Sequence, residues 1–370
     1  MSGTGGARFG EVATRLGLAD EAAVARALDI QEKMRGLGIV PKRVGEILVD
    51  LGTLTPDQVD EILRVQRGRG GSFSIEGFEL LEKLGQGTTG AVYKARQLSL
   101  DRIVALKILA PHLASNPAYV GRFQREARIV SRLAHVNVIG GIDVGESGGY
   151  RYFVMEFVDG PTLLRILERG GALDENRAAK ITLQIARALD HAHRLCLVHQ
   201  DVKPDNIIVA EGGIAKLCDL GLAKVRHSEE GEGAGRTLGT PNYISPEQAR
   251  GEEDVDIRSD IYSLGATTYH ALCGTVPFPG SSPGATLSRH LHERPRSPRE
   301  VVPTVSEEVS RMVLKMMEKR PSDRYQAPSE IVEDLEALLA GRPVPSFTSR
   351  KGVARSGGSG AGRARPRRRS

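Results

Sequence analysis

The chain has 370 residues, of which 40% are hydrophobic, and its formal net charge is +5. This length and apolar content exceed one typical domain and exclude a chain that is disordered throughout. Its three cysteines are widely separated, which argues against a disulfide framework or a CxxC metal site. No run approaches the ~20 apolar residues of a membrane span, and the N-terminus lacks signal-peptide features, so we expect a cytoplasmic protein without a transmembrane segment.

The first part of the chain contains a duplication. Residues 8–31 and 43–66 align at an offset of 35 residues, with matching Arg, Gly, Glu, Leu, Val and Gln positions. In the second copy, Gly52 is suited to a left-handed helix C-terminus and Thr55 to the N-cap of a following helix. Asp20 occupies the equivalent cap position in the first copy. Each copy is therefore predicted to form a helix, a turn and a second helix.

The composition of the chain changes at three further points. The sequence RGRGGSFS is rich in glycine and predicts a flexible linker. Strand-like runs follow, namely FELLEKL, GAVYKAR, IVALKIL and YRYFVMEFV, and helical periodicity dominates from Asp174. After Arg342 the composition is typical of a disordered tail. The predicted divisions are a duplicated helical module over 1–67, a linker over 68–77, a β-rich lobe and an α-rich lobe over 78–341, and a basic tail over 342–370.

The segment LGQGTTGAV places Gly85, Gly87 and Gly90 between two strand-like runs. Backbone amides can approach phosphate groups there because glycine has no Cβ. A GxGxxG pattern also fits a dinucleotide-binding fold or a simple tight turn. The dinucleotide-binding fold requires a helix directly after the glycines, whereas AVYKAR predicts a returning strand, so the sequence favours a hairpin.

A lysine and a glutamate are predicted on apolar faces. In the run VALKIL, the alternation of a half-buried strand puts Lys107 on the same face as Ala105. Glu126 lies in a helical segment, on the apolar stripe between Phe123 and Val130. A charge at either position is costly unless it is paired, so the sequence predicts an ion pair between Lys107 and Glu126. The alternative is two solvated charges on separate surfaces.

The most informative segment is HQDVKPDN, which contains Asp201, Lys203 and Asn206 and is followed by Asp219 in the sequence CDLG. The two carboxylates, the amide and the lysine include no nucleophile. Such a group acts by positioning reactants and by stabilising charge. We interpret the segment as a site that transfers phosphoryl groups from a nucleotide to a hydroxyl group.

From about residue 78 to 341 the chain resembles the eukaryotic-type (Hanks-type) serine/threonine protein kinases, and the sequences SPEQARG and SDIYSLG resemble their bacterial members. The resemblance implies a bilobal α+β fold, with ATP and Mg²⁺ (or Mn²⁺) as cofactors. It also implies a role for each polar residue named above. Asp201 would accept the proton of the substrate hydroxyl, and Lys203 would neutralise the transferred phosphoryl group. Lys107, held by Glu126, would bind the α- and β-phosphates, and Asn206 and Asp219 would bind the metal.

The resemblance implies three further groups of residues. The ATP-binding residues would be Leu84, Gly85, Gly87, Gly90, Val92, Ala105, Lys107, Met155, Glu156, Val158 and Ile208. Glu247, Arg324 and Asp260 would be structural, and Thr237 and Thr240 would be phosphorylation sites. One departure is Gln200, which replaces the usual arginine before Asp201 and cannot offer a charge to an activation-loop phosphate. We therefore expect activity that does not require phosphorylation of either threonine.

Taken with the resemblance, these motifs predict a serine/threonine protein kinase that phosphorylates protein substrates in signalling. Lys203, two residues after Asp201, and the segment GTPNYISPE resemble the serine/threonine branch and not the tyrosine branch. One alternative is a pseudokinase scaffold that binds ATP or a partner without turnover, which the complete set of polar residues disfavours. A second alternative is a small-molecule kinase, which the SPE element disfavours because that element builds a peptide-binding surface.

The duplicated module resembles the paired helical motifs at the N-termini of type II secretion and type IV pilus assembly ATPases, some of which bind cyclic di-GMP. By that resemblance Arg8 and Arg43 would contact the cyclic dinucleotide, and Gly10 and Gly45 would allow close backbone approach. The alternative is a helical module that packs on a protein partner or on the kinase lobes. The tail has eight basic residues and no acidic residue from Arg350 onward, which indicates contact with anionic surfaces or a solvated charge run.

Overall fold

The computed structural model describes residues 9–36, 42–56, 58–59, 62–63, 75–87, 90–114, 116–131, 133–219 and 241–348. Within these ranges the side chains at positions 35, 111, 112, 118, 122, 125, 126 and 128–130 are not described. The chain divides into two compact units, Met1–Ser74 and Ile75–Ser370. Among the described residues, no helix combines the length and the apolar character that crossing a membrane requires.

The described part of the first unit is helical. It contains α1 (Phe9–Arg15), α2 (Glu21–Gly36) and α3 (Val44–Asp50), and the described residues from Pro56 to Leu63 are also helical. Small and aliphatic side chains form its core, which includes Val12 and its equivalent in the second copy, Ile47. Helices as short as α1 and α3 are marginal alone, so the packing of these apolar faces supplies most of their stability.

The two copies of the duplicated sequence have matching turns. Gly17 and Gly52, which are equivalent, follow α1 and α3 and both have a φ of 68°. Asp20 caps α2 by accepting a hydrogen bond from the backbone N–H three residues later, at 2.6 Å. At the equivalent position Thr55 forms a capping box with Gln58, with N···O distances of 2.8 and 3.3 Å. The turn chemistry predicted for both copies is therefore present.

The second unit begins with a five-stranded antiparallel sheet in the order β1-β2-β3-β5-β4. Its strands are β1 (Phe78–Gly87), β2 (Gly90–Gln97), β3 (Arg102–Leu109), β4 (Gly141–Ser147) and β5 (Tyr150–Glu156). The helices α4 (Pro111–Ala114) and α5 (Pro117–Val130) lie between β3 and β4 in the chain. Four strands coincide with the strand-like runs of the sequence, whereas β4 was not predicted.

The strand β3 is buried on both faces, so the prediction that it would be half-buried was wrong. Every residue from Val104 to Leu109 is buried. Ala105 belongs to the same hydrophobic cluster as Phe123 and Ala127 of α5. Both faces of the strand are therefore covered, which its alternation alone does not reveal, and Lys107 lies within the protein.

The rest of the second unit is predominantly helical. Its elements are α6 (Leu163–Gly170), α7 (Glu175–Arg194), β6 (Ile207–Val209), β7 (Ala215–Leu217), α8 (Pro246–Ala249), α9 (Ile257–Cys273), α10 (Pro283–His292), α11 (Pro298–Val301), α12 (Glu307–Met316), α13 (Pro328–Leu339) and α14 (Pro345–Thr348). The predicted apolar stripe of α7, which includes Ile181 and Ile185, is buried. The helix α9 is buried along nearly its whole length. The structure thus has the predicted β-rich lobe followed by an α-rich lobe.

Candidate active site

Lys107 and Asp219 join the two lobes of the second unit. Nζ of Lys107, on β3, lies 2.7 Å from Oδ1 of Asp219, which follows β7. Lys107 is only 6% exposed. Burial alone would raise the pKa of Asp219, but the charge and the hydrogen bond of Lys107 outweigh it and lower that pKa below its ordinary value. The aspartate is therefore held in its ionised form next to a buried cation.

Asp201 lies in the loop before β6, and its carboxylate is held on two sides. Nζ of Lys203 donates to both carboxylate oxygens, at 2.9 and 2.8 Å. Nδ2 of Asn206 donates to Oδ2 of Asp201 at 3.0 Å and to its backbone oxygen at 2.8 Å. The backbone oxygen of Asn206 in turn accepts a hydrogen bond from the N–H of Cys218 at 2.9 Å. The loop is therefore tied to the segment that follows β7.

Asp260, in the first turn of α9, anchors the same loop from the core. The backbone N–H groups of His199 and Gln200 donate to its two carboxylate oxygens at 2.6 and 2.7 Å. Burial raises the pKa of Asp260 to about 7, and these two hydrogen bonds oppose the rise. Gln200 has a φ of 64°, which is unfavourable for a residue with a Cβ. Asp260 thus holds a strained turn directly before Asp201.

His199 is buried beneath this turn. Its Nδ1 atom accepts a hydrogen bond from the backbone N–H of Asp201 at 3.2 Å, and its Nε2 atom lies 3.0 Å from the backbone oxygen of Cys218. Burial lowers the pKa of His199, which fits a neutral ring that accepts at Nδ1 and donates at Nε2. The ring therefore links the two segments that carry Asp201 and Asp219.

The predicted glycine-rich hairpin is formed by β1 and β2. Gly87 pairs with Gly90 at its end. A Cβ added to Gly85 or Gly87 would meet no described atom within 4 Å, so the backbone of β1 is open there. Gly90 has a φ of 150°, and a Cβ on it would overlap the backbone oxygen of Ile108. The third glycine therefore serves strand packing, and the first two leave room for a ligand.

The apolar residues predicted to bind ATP are neighbours in the structure. Val92 lies between Gly85 of β1 and Lys107 of β3 in the strand register, and Ala105 pairs with Met155 of β5. Ala105 and Met155 belong to one hydrophobic cluster that spans both lobes, and Val92, Val158 and Ile208 pack against it. Leu84, at 44% exposure, lies outside this cluster.

Glu156 ends β5 at the connection between the lobes. Its carboxylate lies 2.8 and 2.9 Å from Nζ of Lys216 on β7, and it also accepts a hydrogen bond from the backbone N–H of Gly140 at 3.3 Å. Sequence reasoning missed Lys216. An exposed-looking lysine in the alternating strand AKL carries no local signal of a partner 60 residues earlier.

A closed ion pair lies farther into the helical lobe. Arg324 donates to Oε1 and Oε2 of Glu247 at 2.7 and 2.8 Å, in the bidentate arrangement of a strong pair. Burial alone would raise the pKa of Glu247, but Arg324 lowers it below its ordinary value. Arg324 also donates to the backbone oxygens of Arg258, Glu318 and Lys319, so this pair joins several turns of the lobe.

Several predicted residues lie outside the described part of the structure. They are Arg8, Thr237 and Thr240, and the side chain of Glu126. The helix α5 includes position 126, and it buries the neighbouring Phe123 and Ala127. The ion pair between Lys107 and Glu126 therefore stays a prediction.

The two candidate glycines of the first unit have packing roles. A Cβ on Gly10 would overlap Cγ1 of Val24. A Cβ on the equivalent Gly45 would lie 3.0 Å from Cγ1 of Val59 and 3.0 Å from Cζ of Phe9. These glycines therefore let helices of the unit approach one another. Arg43 is exposed and precedes α3.

The sequence matches the family described as protein kinase domain over residues 78–334, and the chain belongs to that family. Its relatives include bacterial serine/threonine-protein kinases. It is 40% identical over 272 residues to PknB of Mycolicibacterium smegmatis, a match that covers 72% of this chain and 43% of that protein. It is 39% identical over 266 residues to pkn3 of Myxococcus xanthus, with 69% and 48% covered.

The fold is similar to a solved kinase domain. The crystal structure of a mutant PknI kinase domain from Mycobacterium tuberculosis matches with a TM-score of 0.58 and 26% identity, over 74% of this chain and all of that one. The bilobal fold predicted from the sequence is thereby confirmed, and family membership implies the use of ATP and a divalent metal. The chain spans less than half of the length of the curated relatives named above.

Proposed function

We propose that this chain is a serine/threonine protein kinase that transfers the γ-phosphoryl group of ATP to hydroxyl groups of proteins. The observation that carries the proposal is the convergence of two segments. One holds Asp201 with Lys203 and Asn206, and the other brings Asp219 to Lys107. The backbone hydrogen bond from the N–H of Cys218 to the oxygen of Asn206 joins these segments.

Asp201 is proposed as the acceptor of the proton that leaves the substrate hydroxyl. Its carboxylate is already oriented by Lys203 and Asn206, so the reaction needs no large rearrangement of this group. Lys203 would stabilise the negative charge of the transferred phosphoryl group, since its ammonium group lies beside the proton acceptor. Lys107, buried behind the open backbone of the glycine hairpin, would bind the α- and β-phosphates.

The residues present fit a hard divalent cation such as Mg²⁺, and Mn²⁺ is compatible with the same oxygen ligands. Asp219 is ionised, and Asn206 uses its Nδ2 atom on Asp201, which leaves its amide oxygen as a ligand. Oxygen ligands of this kind are those that Mg²⁺ prefers. When bound with ATP, the metal would neutralise charge on the phosphates.

The choice of serine and threonine as acceptors rests on sequence. Lys203 follows Asp201 by two residues, and the relatives named above are serine/threonine-protein kinases. The proposal places the reaction in the cytoplasm, where ATP and protein substrates are available. A pseudokinase that binds ATP without turnover is the alternative that the experiment must separate.

The test is transfer of label from γ-labelled ATP by the full chain, with myelin basic protein as acceptor. We expect labelled phosphoserine and phosphothreonine with the wild type and loss of label with Asp201→Asn. The matched control is Asp101→Asn, an exposed aspartate in the turn before β3, which should leave transfer intact. ATP binding without any transfer by the wild type would support the pseudokinase and contradict the proposal.

For the first unit we favour a module that contacts a protein partner or the kinase lobes. Gly10 and Gly45 face neighbouring helices, so packing accounts for both glycines without a cyclic dinucleotide. The competing proposal, that the unit binds cyclic di-GMP through Arg8 and Arg43, is tested by calorimetric titration of the full chain with that nucleotide. Saturable heat that Arg43→Ala abolishes would establish it, and no heat at high micromolar ligand would end it.

A further inference from the structure

The peptide group that joins Gln200 to Asp201 is held at both ends. Its carbonyl oxygen accepts a hydrogen bond from Nε2 of Gln248 at 2.8 Å. Its N–H group donates to Nδ1 of His199 at 3.2 Å. Gln200 itself is in the left-handed region, which only surrounding contacts can maintain. The orientation of this peptide plane sets the direction in which the side chain of Asp201 leaves the backbone.

The amide group of Gln248 is fixed in its own orientation. It lies in α8, three residues after the N-cap Ser245, and its Oε1 atom accepts hydrogen bonds from the backbone N–H and the hydroxyl of Ser245 at 3.2 and 3.1 Å. Ser245 is buried and its hydroxyl contacts that of Ser259 on α9. Because Oε1 is engaged on this side, Nε2 must face the carbonyl of Gln200.

We propose that Gln248 is a positioning residue for the proton acceptor, and this inference rests on the proposed kinase function. Gln248 connects the short helix α8 to the peptide plane in front of Asp201. Without its Nε2 donor, the carbonyl of Gln200 loses its partner and the plane can rotate. Rotation would move the carboxylate of Asp201 away from Lys203 and Asn206, which hold it in the ground state.

The sharpest variant is Gln248→Glu, assayed in the full chain with myelin basic protein as acceptor. A glutamate at this position still accepts from the N–H of Ser245, as in a standard capping box, but its ionised form has no donor for Gln200. We expect kcat to fall about tenfold, which is what one hydrogen bond of about 1.4 kcal/mol supplies. The KM for ATP should stay close to that of the wild type, and the Tm should fall by no more than it does in the matched control.

The matched control is Gln326→Glu. Nε2 of Gln326 donates to the backbone oxygens of Pro321, Ser322 and Arg324, and none of these belongs to the loop of Asp201. This variant loses the same kind of donor, so we expect a lower Tm with an unchanged kcat. The pair of variants therefore separates loss of stability from loss of positioning.

A pH profile gives a second readout. The carboxyl group introduced by Gln248→Glu becomes a donor only when it is protonated. The carbonyl oxygen of Gln200 favours that form, whereas the N–H and hydroxyl of Ser245 favour the ionised form. The ratio of the variant's kcat to that of the wild type should therefore stay constant from about pH 8 to about pH 6 and rise only as the pH approaches the ordinary glutamate pKa of about 4.3. The kcat of Gln248→Ala, which has no such group, should show no recovery relative to the wild type.

Two results would overturn the inference while leaving the kinase proposal intact. One is wild-type transfer with an unchanged kcat in Gln248→Glu. The other is a parallel fall of kcat, ATP affinity and Tm in that variant, which would indicate a purely structural role. Absence of transfer by the wild type would instead count against the proposed function itself.

Discussion

Two ion pairs of the second unit have similar geometry, but one lies in the candidate active site and the other joins parts of the helical lobe. Lys107 and Asp219 are 2.7 Å apart, and 39% of the Asp219 side chain remains exposed. Arg324 and Glu247 are equally close, but their side chains are 0% and 5% exposed. The first pair leaves a charged group open to a ligand, whereas the second is enclosed by the helical lobe. Exposure of one partner, and not the pair itself, marks the candidate site.

Glycines of the two units differ in the same way. A Cβ on Gly87 would meet no described atom within 4 Å, whereas a Cβ on Gly10 would overlap Val24. Gly87 therefore leaves space beside a predicted phosphate site, whereas Gly10 permits the close approach of Val24 to α1. The same residue type, in two motifs that each resembled a nucleotide-binding pattern, has opposite surroundings in space.

The largest expected effect is the loss of phosphoryl transfer on substitution of Asp219, the partly exposed member of the pair with Lys107. Asp219→Asn should reduce phosphoryl transfer by more than about a hundredfold, because the ionised group proposed to bind the metal is lost. Circular dichroism should still show a folded protein, since the asparagine can keep a hydrogen bond to Lys107. The measurement is the rate of label transfer from ATP, with Asp101→Asn as the control. Transfer within tenfold of the wild type would remove Asp219 from the proposed site.

The closed pair should affect stability instead. Glu247→Gln leaves the buried guanidinium of Arg324 without its charged partner, which should lower the free energy of unfolding by about 3–5 kcal/mol. The measurement is urea denaturation followed by circular dichroism. The control is Glu336→Gln, which removes the exposed pair with Arg187 and should cost less than about 1 kcal/mol. Equal costs for the two variants would contradict the distinction.

The pH dependence of this stability has a defined sign. The pKa of Glu247 is lowered in the folded state from an ordinary value of 4.5. The stabilisation that ionised Glu247 provides is therefore complete above the pKa of Glu247 in the unfolded chain. It is lost as the pH falls through the lower pKa of Glu247 in the folded protein. The difference between wild type and Glu247→Gln should be constant from about pH 6 to pH 8 and shrink only below about pH 4.5. A difference that grows on acidification would contradict the assignment.

Alanine substitutions at Gly10 and Gly87 should have smaller effects, on stability for Gly10 and on the KM for ATP for Gly87. Gly10→Ala should destabilise the first unit by about 1–3 kcal/mol through overpacking, with transfer unchanged. Gly87→Ala should change the free energy of unfolding by less than about 0.5 kcal/mol but raise the KM for ATP. Amide hydrogen exchange of α1–α3 and steady-state kinetics measure these effects. An unchanged exchange pattern in Gly10→Ala would show that this glycine has no packing role.

The smallest effect is expected in the double variant Thr237→Ala, Thr240→Ala. Gln200 has no charge to bind a phosphate, so we expect the kcat to stay within about twofold of the wild type. Wild-type enzyme treated with a phosphatase should behave in the same way. Loss of transfer in the double variant, with the fold retained, would show that phosphorylation is required after all.

Features with a local signal could be predicted from the sequence. The hairpin of β1 and β2, the buried stripe of α7 and the capped turns of the first unit all follow from periodicity, glycine and cap residues. The segment with Asp201, Lys203 and Asn206 was singled out as a candidate site because its residue types and spacing are informative in themselves. The strand β4 was missed because the short run GIDVGES contains two glycines and only two aliphatic residues.

Features that depend on distant contacts could not be predicted. The second face of β3 is buried in a cluster whose members are distant along the chain, which the alternation of the strand does not report. The contacts of Lys216 with Glu156 and of Gln248 with Gln200 span 60 and 48 residues. Such pairs carry no periodic signature, and they become visible only when the chain has folded.

The most direct test of the central claim is a crystal structure of the full chain with a non-hydrolysable ATP analogue and Mg²⁺. We expect a metal ion about 2.1 Å from oxygen atoms of Asn206 and Asp219, with Lys107 on the phosphates and Asp201 facing the γ-phosphate. A nucleotide bound elsewhere, or a metal held by other residues, would contradict the claim that these side chains form one phosphoryl-transfer site.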